Sequence, residues 1–172
     1  IHSFFQLPFG PHIPEHLQKG ASYNPGAQQN NNKKFNREKI KLIQSLDLLV
    51  IDEISMVRAD MLDAIDEVLR RYKNHYQPFG GVQLLMIGDL HQLSPVIKDD
   101  EWYMLKEYYD TVYFFSSKAL QKTEPISIEL KHIYRQNDQY FINMLNSIRD
   151  NNIDYDLLKE LNVPVLPNTA GC

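Results

Sequence analysis

The chain has 172 residues, 43% of them hydrophobic and 23% charged, which suits one ordinary globular core and excludes global disorder. Lys plus Arg number 18 against 22 Asp plus Glu, a net charge of −4, so a uniformly basic nucleic-acid-coating protein is excluded while a local basic face is not. Cys172 is the only cysteine, so no internal disulfide can form, as fits a reducing intracellular compartment. No run approaches the roughly 20 apolar residues needed to span a bilayer, and no membrane partner is expected. The chain opens at Ile1 and its first Met is Met56, which reads as a piece of a longer protein or a processed product.

Ile1 to Phe9 is short and aromatic, then broken by Pro8, Gly10, Pro11 and Pro14. Residues 20–36, GASYNPGAQQNNNKKFN, are polar and turn-rich and read as a loop. Asn36 is placed to cap a short helix to Ser45, with Ile40 and Ile43 inward. Leu46 to Ile51 reads as a buried strand ending in Asp52-Glu53. Asp60 to Tyr76 is the clearest helix, with Met61, Leu62, Ile65, Val68, Leu69 and Tyr72 on one face and Asp60 as its cap. Pro78 to Gly81 makes a turn, and Val82 to Ile87 is a second buried strand ending in Gly88-Asp89.

Glu101 to Tyr109 reads as a helix whose aromatics, Trp102, Tyr103, Tyr108 and Tyr109, suit core packing. Val112 to Phe115 and Ile126 to Leu130 read as strands, with a short helix from Ser116 between them. Asp138 opens a helix with Phe141, Met144, Leu145 and Ile148 inward, and Asp154 opens a last short one. The end, VPVLPNTAGC, is Pro-rich and extended in character. Strands alternating with helices imply an α/β fold, a parallel β-sheet flanked by helices. Ligands of such sheets lie at the carboxyl ends of the strands, where Asp52, Glu53 and Asp89 fall.

Leu48 to Met56, LLVIDEISM, has the form of a Walker B segment. Its apolar strand delivers two carboxylates to a cleft: Asp52 suits holding the Mg²⁺ of a nucleoside triphosphate through a water, and Glu53 suits orienting and deprotonating the attacking water. The bland alternative is a strand that ends in an acidic turn. Gly88 to Val96, GDLHQLSPV, follows the second strand; Gly88 allows close backbone approach, and Gln92 is a neutral donor and acceptor suited to sensing a γ-phosphate. Leu130 to Asp138, LKHIYRQND, carries Arg135, whose planar fork suits phosphate oxygens; taken alone it reads as a surface Arg paired with one of the many acids.

Together these three segments resemble the DNA helicases of superfamily 1B, above all the petite-integration-frequency (PIF) type, relatives of the RecD helicase. Ile1-His2-Ser3-Phe4 resembles the end of that family's segment Ia, Pro78-Phe79-Gly80-Gly81 its turn before the second strand, and FINMLNSIR, from Phe141, the helix after its Arg-Gln motif. The resemblance implies a partial RecA-like P-loop NTPase core over residues 1–150, with 10–46 a loop-rich insertion and wedge element, and 151–172 leading to a second motor domain. It implies ATP and Mg²⁺ as cofactors. Asp52 is assigned to the metal, Glu53 to the base, Gln92 to γ-phosphate coupling and Arg135 to the arginine finger, with Asp89 beside them. Leu90 and Ser94 depart from the family's usual residues, in the loop rather than in the chemistry. None of the seven glycines precedes Lys, so the family's Walker A strand and loop, Gly-x-x-x-x-Gly-Lys-Ser/Thr, are missing from this chain.

The implied partners are single-stranded and forked DNA, translocated 5′ to 3′. Lys33, Lys34, Arg37, Lys39 and Lys41 suit tracking a DNA backbone, or else form a solvated helix face. His2, Ser3 and Phe4 match a segment that lies along the single strand, with Phe4 or Phe5 stacking on a base and the other in the core. The six His show no ligand spacing. The rival reading is a non-catalytic nucleic-acid-binding module on a degenerate motor fold; an unrelated α/β switch ATPase shares the strand-Asp-Glu segment but not Gln92 or Arg135.

Overall fold

The structure is a computed structural model that describes residues 2–7, 10–14, 35–134, 136–152 and 159. Its elements in order are α1 (His2–Phe5), α2 (Arg37–Gln44), β1 (Leu48–Ile51), α3 (Ala59–Tyr72), β2 (Gln83–Met86), α4 (Asp99–Leu105) and α5 (Gln139–Arg149), with short 3₁₀ turns between them. The chain divides into two compact units, Ile1–Ile126 and Ser127–Cys172.

The first unit is built on a βαβ crossover. β1 and β2 pair in parallel, Leu48 opposite Gln83 and Ile51 opposite Met86, and α3 connects them as parallel pairing requires. Alternation along the strands puts Leu49, Ile51, Leu84 and Met86 on one face. That face joins Leu62, Ile65 and Leu69 of α3 and Ile40 and Ile43 of α2 in one apolar cluster. Both strands read in sequence as buried, but Leu48, Val50 and Leu85 on the other face are exposed. The reason is that α2 and α3 both pack in the same cluster as the inner face, and no described helix of this unit joins the outer one.

Local caps explain where the helices start. Asn36 Oδ1 accepts from Lys39 N at 2.8 Å and opens α2. Asp138 Oδ1 accepts from Tyr140 N and Phe141 N at 2.9 and 3.2 Å and opens α5. α3 is different: it starts at Ala59 with Arg58 at the cap position and no side-chain cap bond. Asp60 is therefore not the cap. It lies buried within the first turn, where its carboxylate takes Arg58 Nε at 2.9 Å and His12 N at 2.9 Å.

Two predicted strands are absent. Over 112–115 there is a single antiparallel bridge, Arg58 to Tyr113, before the chain turns into a 3₁₀ element at Phe114–Ser116. Ile126, Ile128 and Leu130 are 90, 80 and 88% exposed and lie outside any ladder. A strand needs a neighbour to take its N–H and C=O groups, and the only sheet among the described residues is β1–β2. Of the predicted inward face of α5, Met144 alone is buried. The predicted helix from Asp154 and the Pro-rich end lie outside the described residues, save Lys159.

A second, smaller cluster joins Ala59, Leu105 and Tyr109 with Trp102 and Tyr108. Three of the four aromatics predicted to pack therefore do. Tyr103 is exposed, its ring 4.2 Å from Lys106 Nζ. No helix among the described residues is long and apolar enough to cross a membrane.

Candidate nucleotide site and its neighbours

Parallel pairing in register brings the two acidic strand ends together. Ile87 N donates to Ile51 O and Ile54 N donates to Ile87 O, both at 2.9 Å, so the ladder continues past the strands into the loops. Asp52-Glu53 thus leaves β1 beside Gly88-Asp89 leaving β2. Gly88 suits this close junction: a Cβ there would lie 3.0 Å from both Ile54 N and Ile54 Cγ2. The close approach expected of Gly88 is made to the turn that carries the carboxylates.

Glu53 turns the chain out of the sheet. It is left-handed, φ 52° and ψ 47°, which is uncommon for a residue with a side chain. Such a conformation costs about 1–3 kcal/mol and persists only where the surroundings fix it. Here Glu53 N donates to Asp52 Oδ1 at 2.9 Å, Met56 N donates to Glu53 O at 3.0 Å, and Ile54 N is held by β2. Both carboxylates remain exposed. Two residues on, the Ser55 hydroxyl is buried and has no hydrogen-bond partner among the described residues.

The loop after β2 is organised by Asp89. Its carboxylate accepts from His91 N at 3.0 Å and from Gln92 Nε2 at 3.4 Å, and Asp89 O accepts from Gln92 N at 3.1 Å. Asp89 thereby ties the Gln92 backbone and side chain to the end of β2. Leu90, Leu93 and Val96 around it are exposed.

The donor set fits a hydrated magnesium ion. Mg²⁺ is commonly held by one or two carboxylates together with substrate phosphates, and Asp52 and Glu53 are adjacent and exposed. No group of three metal-ligating side chains occurs among the described residues, so no all-protein cage is offered here.

Three aspartates on α3 do work that the sequence reading missed. Asp60 holds the segment at His12, as above. Asp63 accepts from Tyr109 Oη at 2.7 Å, Ser117 Oγ at 2.5 Å, and Lys118 N and Ala119 N at 3.1 and 2.9 Å. Asp66 accepts from Phe79 N at 2.5 Å. Each buried carboxylate anchors a different loop to the helix between the two strands. Burial, then the Asp63 charge, pushes the Tyr109 hydroxyl well above the usual phenol range. Burial also raises Asp66, against the opposing Phe79 N–H and Arg70. Burial works to lower Arg58, but its bonds to Asp60 and Glu101 more than offset that and leave it above its ordinary value. The sequence signal for this set is an i, i+3, i+6 spacing of acids on the apolar side of a helix.

Arg135, Lys33 and Lys34 lie outside the described residues. Arg37 is exposed, at the first position of α2. His2 and Ser3 are exposed on α1. Phe5 is the core member of the aromatic pair, and half-buried Phe4 packs edge-on against it at 4.9 Å.

A family profile described as PIF1-like helicase matches residues 1–157. The chain belongs to the PIF1-like helicase family. ATP-dependent DNA helicase PIF1 of Saccharomyces cerevisiae strain YJM789 is 36% identical over 161 residues, 93% of this chain and 16% of that protein. The human protein of the same name is 41% identical over 101 residues, 59% of this chain and 14% of its own length. The crystal structure of Bacteroides Pif1 bound to single-stranded DNA matches 94% of this chain and 35% of that one, at 42% identity and a TM-score of 0.81. The same values for identity and TM-score hold for Bacteroides Pif1 in complex with ADP-AlF3 and single-stranded DNA. This PIF1-like chain thus spans a small part of the length of its relatives, and its fold is theirs: a RecA-like parallel sheet flanked by helices.

Proposed function

We propose that this chain is part of the first motor domain of an ATP-dependent DNA helicase, within residues 1–150, acting on single-stranded and forked DNA inside the cell. The observation that carries the reading is the junction at Gly88, where the Asp52-Glu53 turn and the Asp89–Gln92 loop share one backbone ladder. Relatives support the ligands: Bacteroides Pif1 binds single-stranded DNA together with ADP-AlF3.

In this reading Asp52 holds Mg²⁺ through a water. Bound with the nucleotide, the ion would neutralise phosphate charge. Glu53 accepts the proton of the attacking water. Gln92, fixed by Asp89, reads the γ-phosphate and reports it along the loop to the rest of the motor. Arg135 supplies positive charge to the transition state. Arg37, Lys33, Lys34 and the His2–Phe4 turn meet the DNA. Hydrolysis opens and closes the cleft to a second motor domain, and the strand moves 5′ to 3′.

Glu53→Gln in the full-length protein tests the reading. The amide still contacts the water but takes no proton, so magnesium-nucleotide binding is retained and kcat falls by about 10²–10⁴. An unchanged kcat removes Glu53 from the base role, whereas absence of ATP turnover in the parent full-length protein favours a non-catalytic module.

A further inference from the structure

Lys39 lies in the basic run, yet its charge is turned onto the protein. Its Nζ donates to the Ser3 carbonyl at 3.3 Å. The same ammonium lies 5.1 Å from the centroid of the Phe4 ring and 5.0 Å from that of Phe35, within cation–π range of both. The side chain is half-buried, whereas Arg37 and Lys41 are exposed.

Both ends of this clamp are anchored. The Lys39 backbone is fixed by the Asn36 cap at the start of α2. Phe35 is buried, and its ring lies 5.1 Å from that of Tyr72 on α3. On the other side Phe4 rests on buried Phe5.

α1 needs such support. It has four residues, and so short a helix does not sustain itself. Its last carbonyls have no partner within the helix. Leu7 N takes the His2 carbonyl at 3.1 Å, and Lys39 takes the Ser3 carbonyl. A lysine on the carbonyl end of a helix is a favourable cap.

We propose that Lys39 is a positioning residue for single-stranded DNA: through the Ser3 carbonyl and the Phe4 ring it orients the His2–Ser3–Phe4 turn without itself meeting phosphate. The proposal rests on the reading of that turn as a DNA contact. Without the clamp α1 frays, and DNA binding must then supply the ordering of the turn, so affinity falls. No ion contact is lost, so the salt dependence stays. Each phosphate contact on a single strand contributes about 0.7 to the slope of log K against log salt.

The experiment measures binding of a fluorescent oligo-dT strand to the full-length protein across a salt series, with melting curves and nucleotide binding as folding controls. Lys39→Met is expected to weaken binding on the order of tenfold, the scale of a lost cation–π and hydrogen-bond pair, with the slope unchanged. Lys39→Arg restores most of it, since a guanidinium can cover the same rings. Phe35→Leu removes one ring from the clamp without touching the turn, and is expected to weaken binding at the same slope. It also serves if Lys39→Met does not melt cooperatively. A slope reduced by about 0.7 in Lys39→Met makes Lys39 a phosphate contact and overturns the proposal. So does affinity within about twofold of the parent in Lys39→Met, or in Phe35→Leu where the first variant fails to fold. The paired variant His2→Ala, Ser3→Ala separates the two ideas. Unchanged affinity there withdraws the turn as a DNA contact; a loss there with none in Lys39→Met withdraws Lys39 alone.

Discussion

Asp66 shows how one buried carboxylate can hold a loop and still carry a cost. Its Oδ1 accepts from Phe79 N, and Phe79 is itself left-handed, φ 52°, so the bond secures a turn that few residues favour. Burial raises its pKa above the ordinary 3.8. The folded protein therefore binds this proton more tightly than the unfolded chain. Its contribution favours folding at low pH and is lost as pH rises through the raised folded value. Asp66→Asn keeps an acceptor for Phe79 N without the buried charge. It is expected to stay within about 1 kcal/mol of the parent at neutral pH and to lose that acid-side gain. Asp66→Ala leaves the buried N–H without a partner and should cost about 1–3 kcal/mol at neutral pH. Denaturant titrations of the three proteins between the ordinary carboxylate pKa and neutrality check both. A parent and Asp66→Asn with parallel pH profiles would refute the buried-charge account.

At the scale of elements, what was legible in the sequence is what local chemistry decides. α2 and α5 were readable because Asn36 and Asp138 cap within three residues of themselves. β1 was readable as a short apolar run ending in two acids, and α3 from its helical period. The strands predicted over 112–115 and 126–130 were not, because a strand is settled by a partner that the local pattern cannot reveal. The roles of Asp60 and Asp63 were hidden for the same reason. Beside the nearby Arg58, Asp60 holds His12, and Asp63 holds Tyr109 to Ala119, all far along the chain. Of the site, the residue types at the strand ends were legible; the left-handed turn at Glu53 and the tie from Asp89 to Gln92 were not. Gly88 joins the two levels. A methyl group there meets Ile54 N, which is already bonded to Ile87 O, so the neighbouring turn has to give by a few tenths of an ångström. Gly88→Ala should cost about 1–3 kcal/mol as overpacking and depress ATP turnover more than nucleotide binding, since it moves the carboxylates relative to Gln92. Melting curves with steady-state ATPase in the full-length protein measure it. Parent-like turnover would show that the junction tolerates displacement.

For the whole molecule, the question is which parts of a motor these 172 residues hold. The acidic turn and the Gln92 loop lie in the unit Ile1–Ile126, fixed by a ladder internal to that unit. In the proposed reading they orient water and accept a proton. They cannot by themselves grip a triphosphate, because exposed carboxylates repel it. Grip requires a cluster of backbone N–H groups and a lysine on the β- and γ-phosphates, and no glycine of this chain precedes a lysine. Magnesium would not replace that cradle, since in the proposed reading it would be held by at most two carboxylates and would otherwise need phosphate already in place. The purified 172-residue chain is therefore expected to hydrolyse no ATP, with or without single-stranded DNA, and to bind a fluorescent nucleotide weakly. A cooperative melt serves as the folding control. The full-length protein, assayed alongside, should hydrolyse ATP and be stimulated by DNA. DNA-stimulated turnover by the 172-residue chain would mean that it contains a phosphate-binding device other than the glycine-lysine loop.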